Sequence, residues 1–191
     1  MTKDLEILKD KIINANIELF SKKGLHFTMD DLSKSLGISK KTLYKVYDSK
    51  EEMFLDLADY FFMEIKKSEQ EILNDNNLDT LTKLKKIMVV LPERYQNKGL
   101  NNLYILKDKF PNIYIKVSEY LSKDWDSTIY LLEKGMEEGV IRKVSIPVVK
   151  AMVEGTFNEF LGTSALKEND ISYEAALDEM IEIIINGIKV R

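Results

Sequence analysis

The segment Thr28–Lys50 reads TMDDLSKSLGISKKTLYKVYDSK, a pattern typical of two short helices joined by a tight turn. Its first residue is a favourable N-cap, and the two aspartates that follow suit the positive end of a helix dipole. Gly37 is expected to end the first helix, because the residue after a helix often has positive φ, which glycine adopts at little cost. Ser39 then provides the cap of a second helix.

Leu43 and Val46 of the second helix lie three residues apart and can pack on Leu32 and Leu36 of the first helix. This packing leaves the following polar side chains on the free face: Lys40, Lys41, Thr42, Tyr44 and Lys45. A short helix with such a face suits the major groove of DNA, which admits one helix. The pattern therefore predicts a helix-turn-helix.

The segment Gly24–Phe54 closely resembles the DNA-binding domain of TetR-family transcriptional regulators. The shared features are the glycine and aromatic lead-in, the threonine that opens the second helix, and the tripeptides Gly37-Ile38-Ser39, Thr42-Leu43-Tyr44 and Ser49-Lys50-Glu51. The departures are Ser33 and Leu36 in place of alanines, Lys41 in place of a small residue, and Val46-Tyr47 in place of an aromatic pair ending in phenylalanine.

The free face and the resemblance together predict the residues that contact DNA. The set is Thr28, Ser39, Lys40, Lys41, Thr42, Tyr44, Lys45, Tyr47 and Lys50. Within it we expect Lys41 and Thr42 nearest to base edges, and we expect Thr28, Tyr47 and Lys50 to meet phosphates. The implied partner is double-stranded DNA carrying a palindromic operator.

The charge of the chain is unevenly distributed. The 191 residues have a net charge of −4, yet residues 1–50 carry 10 lysines against 7 acidic residues, a balance of +3. Residues 51–191 carry 18 basic and 25 acidic residues, a balance of −7. Positive charge therefore coincides with the predicted helix-turn-helix, and the acidic remainder would be repelled by phosphate.

Other classes of protein are disfavoured by what the sequence lacks. The chain has no cysteine, which removes disulfides, thiol catalysis and most structural zinc sites. Its one histidine, His26, has no second ligand at metal-binding spacing. Since no phosphate-binding glycine loop and no serine elbow occurs either, we expect no enzyme, no metal and no bound cofactor.

Cellular location follows from the same kind of pattern. No apolar run reaches the roughly 18 residues that a membrane helix needs. The N-terminal residues alternate between charged and apolar types, unlike a signal peptide. We therefore expect a cytoplasmic protein with no membrane partner.

Beyond the helix-turn-helix, apolar residues recur every three or four positions, which predicts further helices. No strand-like alternation persists. We expect an all-α protein of about nine helices, in which a three-helix DNA-binding head is joined by a long helix, starting at Lys50, to a larger helical domain. The predicted domains are residues 1–50 for the helix-turn-helix and residues 51–191 for effector binding and dimerisation.

The last two predicted helices are more apolar than a surface helix requires. By the resemblance, they pack against their symmetry mates in a four-helix bundle and form a homodimer. The predicted interface consists of Ala151, Gly155, Phe160, Ala176, Met180 and Ile184. Two alternatives stay open: both helices are buried within one subunit, or the chain is a helical adaptor or chaperone-like bundle that binds another protein.

Large adaptable side chains are frequent in the middle of the chain, where the resemblance implies a cavity for an unknown small-molecule effector. The predicted lining is Phe61, Met88, Tyr95, Tyr104, Phe110, Tyr114, Tyr120, Trp125 and Phe157. Ordinary core packing is the alternative for each of them. Such a lining favours a hydrophobic or aromatic effector, and the implied function is a sequence-specific, homodimeric transcriptional repressor that the effector releases from DNA.

Overall fold

The computed structural model describes residues 3–98 and 100–190 of the chain. These residues form eleven α-helices with short 3₁₀ turns. Over the same ranges there is no β-strand, and Ile141 and Lys189 form an isolated antiparallel bridge. None of the described helices is both long enough and apolar enough to cross a membrane. The predicted all-α class is confirmed.

The head consists of three helices whose ends match the capping residues in the sequence. They are α1 (Lys3–Lys23), α2 (Met29–Leu36) and α3 (Lys40–Leu43), with a 3₁₀ turn at Gly24–His26. Thr28 and Asp31 form a reciprocal capping box, in which the Thr28 hydroxyl accepts from the Asp31 amide at 3.1 Å. Gly37 has φ +65°, the left-handed conformation that lets the chain leave α2 and turn toward α3.

The long helix α4 (Lys50–Asn74) starts in the head and continues into the body. The body contains α5 (Thr80–Met88), α6 (Leu106–Lys109), α7 (Pro111–Lys123), α8 (Asp126–Glu137), α9 (Ile146–Gly162), α10 (Ala165–Glu168) and α11 (Tyr173–Ile188), with 3₁₀ turns at Glu93–Tyr95 and Leu100–Ile105. The predicted architecture of head, connecting helix and larger helical body is confirmed.

Head and body share an apolar core. The cluster around Leu32 and Leu43 in the head also contains Phe54 of α4 and two body residues, Leu106 and Ile113. The division at residues 50 and 51 stays a prediction, and α4 and this cluster both cross it. Apolar contact is therefore continuous across that position, and the head packs directly on α6 and α7.

The side chain of Lys50 ties the 3₁₀ turn to the start of α4. Its Nζ donates hydrogen bonds to the carbonyl oxygens of Leu25, at 2.7 Å, and Phe27. The same nitrogen lies 4.1 Å from the centroid of the Phe27 ring. Burial, with a smaller contribution from Lys109, lowers the pKa of Lys50 from 10.5 to about 8.

The position of Lys50 predicts a pH dependence of stability. Its pKa in the folded state, about 8, is below the ordinary value of 10.5, so the unfolded chain binds more protons between these two values. Wild-type stability should therefore rise, relative to Lys50→Met, as pH increases through this window. Thermal unfolding of both proteins at matched pH values measures this difference in stability. Tyrosines also titrate in this pH range, but both proteins contain the same tyrosines, so their contribution cancels in the difference. A difference that is constant with pH would contradict the burial of this ammonium group.

Candidate nucleic-acid interface

The face formed by α3 and by the turn that follows it, residues 44–46, is presented to solvent. Lys40, Lys41 and Lys45 are exposed, and Tyr44 is 47% exposed. Leu43, on the opposite side of the same turn, is 0% exposed and belongs to the head core. The packing of one leucine thus directs three lysines and a tyrosine away from the protein, where a groove could receive them.

The start of α3 is held by a hydrogen-bonded cap. The Ser39 hydroxyl accepts from the Thr42 amide at 3.1 Å, and the two hydroxyl oxygens lie 2.9 Å apart. Thr42 is half-buried. Both side chains are therefore fixed before any ligand arrives, which lowers the entropy cost of a contact with DNA.

Acidic residues of α2 are paired with lysines. Asp30 receives Lys34 at 2.8 Å and Lys40 at 3.0 Å, and these two lysines lower the pKa of the Asp30 carboxyl below its ordinary value. Lys41 and Lys45 form no salt bridge with any described residue. Exposed pairs of this kind add little stability, so their effect is on orientation: Lys40 is anchored, whereas the other two lysines are available to phosphates or bases.

Asp31 is also paired with a lysine, and it binds the residues that precede α2. Lys23 lies 2.9 Å from its carboxylate, which also accepts from the backbone amide of Thr28 at 2.7 Å. The hydrogen bond from Lys23, followed by those from Thr28, lowers the pKa of Asp31 well below its usual range. Thr28 itself is exposed, and its hydroxyl lies 2.9 Å from the same carboxylate.

Two of the expected phosphate contacts point inward instead. Tyr47 is 2% exposed, and its hydroxyl donates to Asp56, whose carboxylate also receives Lys9 at 3.0 Å. Burial, reinforced by Asp56, raises the pKa of Tyr47 well above its ordinary value. The ammonium group of Lys50 is directed to the carbonyls of Leu25 and Phe27. The expectation that Tyr47 and Lys50 reach phosphates is therefore corrected, because both side chains hold the head together.

Sequence reasoning missed two positioning residues: Asp30, which pairs with Lys34 and Lys40, and Asp56, which binds Tyr47 and Lys9. For Asp30 the available signal was its spacing of four residues from Lys34. The burial of Tyr47 also had a signal in the sequence, because related proteins usually have phenylalanine at this position and an apolar ring is expected to be buried. Asp56 had no local signal, because its partners come from α1 and from the loop before α4.

Helices α9 and α11 form an apolar surface. Met152 and Ile183 are 57% and 67% exposed, and Val148 is exposed beside them. Of the predicted interface residues, Ala151 and Gly155 are exposed, Phe160 is half-buried, and Ala176, Met180 and Ile184 are buried. A Cβ atom added at Gly155 would meet nothing within 4 Å. We call the exposed strip formed by Val148, Ala151, Met152, Gly155 and Ile183 the apolar face.

The predicted effector residues divide between two cavities. The junction cavity, about 100 Å³, lies between α1, α4 and α7 and includes Phe61 and Tyr95. The body cavity, about 90 Å³, lies between α4, α5, α7, α8 and α9 and includes Met88, Tyr120, Trp125 and Phe157. The remaining three, Tyr104, Phe110 and Tyr114, line neither cavity. Phe110 packs on Phe54, with ring centroids 5.8 Å apart. A role of these three residues in effector binding stays a prediction.

Comparison with known proteins agrees with this geometry. Residues 12–57 match the model of the family "Bacterial regulatory proteins, tetR family". The chain is 25% identical over 178 residues to the uncharacterized HTH-type transcriptional regulator YvaF of Bacillus subtilis, covering 93% of this chain and 94% of that protein. It is 54% identical over 48 residues to the biofilm operon icaADBC HTH-type negative transcriptional regulator IcaR of Staphylococcus epidermidis, covering 25% of this chain and 26% of that protein.

A solved structure has the same fold. The transcriptional regulator FadR from Bacillus subtilis, in complex with stearoyl-CoA, superimposes with a TM-score of 0.62 at 20% identity, covering 94% of this chain and 98% of that one. The matched family consists of transcriptional regulators and not of enzymes. Residues 12–57 therefore form a DNA-binding domain of the TetR family of transcriptional regulators, and the whole chain is similar to such regulators in sequence and in fold.

Proposed function

We propose that this regulator is a homodimeric repressor that binds a palindromic operator and leaves it when a small molecule occupies the body. The observation that carries DNA binding is the exposed face formed by α3 and the turn after it. Lys41 and Lys45 are exposed there without a described ion pair, while the neighbouring Asp30 is already occupied by two other lysines. Free lysines on a pre-formed helix and its following turn are the groups that phosphates and guanine edges attract. A regulator acting on chromosomal DNA works in the cytoplasm.

The apolar face supports the dimer. Met152 and Ile183 are more than half exposed, and an apolar surface of this kind is stabilised when a second copy covers it. A two-fold dimer reads two equal half-sites, which matches a palindromic operator. IcaR, which is similar to this chain over 48 residues, is a negative transcriptional regulator, and we extend repression to this protein.

Release by an effector requires a connection from the body to α3. Contacts at the N-terminal end of α7 provide one: Asn112 donates to Glu51 at 2.8 Å, and Lys116 lies 2.6 Å from Asp59. Both acids belong to α4, whose first turns pack on the head core. An effector that favours a different position of α7 would therefore shift α4. It can change the equilibrium between the DNA-binding state and the released state only by its difference in affinity for them.

The DNA-binding face can be tested by two substitutions with different expected effects. Lys41→Ala should relax the preference at a particular base pair, a loss of about 1–3 kcal/mol for the preferred sequence. Lys45→Ala should weaken binding to all duplexes alike and reduce the slope of log K against log salt by about one. Selection from random duplex DNA, followed by fluorescence anisotropy at several salt concentrations, measures both quantities.

The control for this experiment is Lys86→Ala, which removes an exposed lysine from α5 in the body. It should leave both the preference and the salt slope as in the wild type. If the Lys41 and Lys45 variants also behave like wild type, DNA does not contact this face of α3.

The dimer can be tested at the centre of the apolar face. Ile183→Glu would place a carboxylate in the proposed interface, where burial without a partner is costly, so the dimer should dissociate. The matched control is Ile115→Glu on α7, because that isoleucine is also exposed, at 53%. Sedimentation at about tens of micromolar compares the three proteins. A monomeric wild type would exclude the two-fold model and favour the helical adaptor.

A further inference from the structure

The wall of the body cavity combines aromatic rings with acidic groups. Phe62 and Tyr120 stack with ring centroids 4.4 Å apart and an interplanar angle of 19°. Trp125, the single tryptophan of the chain, and Phe157 complete the aromatic part of the wall. The Tyr120 hydroxyl donates to Asp59 at 2.6 Å, and this hydrogen bond raises the pKa of Tyr120 to about 12, so the ring is neutral at physiological pH.

Glu69 is the unusual residue of this wall. It lies on α4, is 6% exposed, and faces the cavity among apolar side chains. Its Oε2 accepts from Lys66 Nζ at 2.9 Å and from the Ser127 hydroxyl at 3.1 Å. Among the described contacts, Oε1 of the same carboxylate receives no hydrogen bond. A carboxylate buried to this degree retains one acceptor atom for a further partner.

A second acid shares the lysine that pairs with Glu69. Asp124 also lines the cavity, and its carboxylate forms a salt bridge with the same Lys66. Burial lowers the pKa of Lys66, but its hydrogen bonds to Asp124 and Glu69 outweigh this effect and hold that pKa above its ordinary value. One lysine therefore serves two carboxylates, leaving an excess of one negative charge at the wall.

The other charges near this cavity cancel. Lys116 pairs with Asp59 at 2.6 Å, and Lys150 lies 3.7 Å from Glu154. The Lys150 Nζ also lies 5.6 Å from the centroid of Trp125, so one aromatic ring of the wall already faces a cation. These pairs add no net charge, and the excess at Glu69 and Asp124 persists.

We propose that the body cavity binds a small organic cation, of the alkylated ammonium class, as the effector of this regulator. Aromatic faces attract such a cation through their quadrupoles, and the uncompensated carboxylate supplies the opposite charge. At about 90 Å³ the cavity suits a compact head group rather than a large ring system. The effector role rests on the proposed function, whereas the cation site depends only on the cavity.

The test uses tetramethylammonium as the probe and tert-butanol as an uncharged molecule of similar size and shape. Trp125 fluorescence of the full-length protein should change saturably with tetramethylammonium and not with tert-butanol over the same concentration range. Glu69→Gln keeps the shape of the side chain and removes the charge, so it should weaken tetramethylammonium binding by about tenfold or more. The matched control, Glu71→Gln, alters an exposed acid on the same helix and should bind like wild type.

Equal binding of the two probes, or unchanged affinity in Glu69→Gln, would overturn the inference. If circular dichroism finds that this variant is unfolded, Asp124→Asn replaces it and should also weaken tetramethylammonium binding. The comparison of the two probes on wild-type protein then remains as a second test. Operator affinity is measured separately by anisotropy with the selected duplex. Tetramethylammonium binding without any loss of operator affinity would support the cation site and refute release by this ligand.

Discussion

The largest apolar cluster that joins the head and the body of this protein lies at the start of α4. Phe54 is central to it, because its ring lies 5.8 Å from Phe27 of the head and 5.8 Å from Phe110 before α7. Leu106 and Ile113 of the body belong to the same cluster. Close-packed interiors do not deform smoothly, so α6 and α7 cannot shift without repacking the residues that support α3. A second contact between head and body lies on α1, where Ile13 and Ile17 pack with Tyr95 and where Arg94 pairs with Asp10.

Charged residues have different effects in the head and in the body. In the head, Asp30 and Asp31 are paired with lysines, so the acids of α2 orient cations instead of repelling DNA. The body carries the excess of acidic residues. A duplex that approaches with the wrong orientation therefore meets repulsion, and the screening length of about 8 Å at physiological salt confines this effect to close approach.

The head could be predicted from the sequence because its determinants are local. Thr28, Gly37 and Ser39 act on residues within four positions, and the leucines that orient α3 are fixed by helical spacing. The placement of Lys50 could not be predicted in this way, since its ammonium binds carbonyls 23 and 25 residues away. The same holds for the effector residues: an aromatic stripe indicates burial, but the packing of several helices decides which cavity, if any, each ring lines.

The burial of Glu69 could be predicted from the sequence, whereas its partners could not. Phe62, Ile65 and Ile72 stand seven, four and three residues from it, so helical periodicity places the acid on the apolar stripe of α4. Periodicity alone therefore indicates a buried carboxylate at this position. Burying this group with Lys66 costs desolvation that an apolar side chain of similar volume would avoid, often with equal or greater stability. Fold stability alone therefore does not account for a carboxylate here, and the cation site that we propose gives this residue a role.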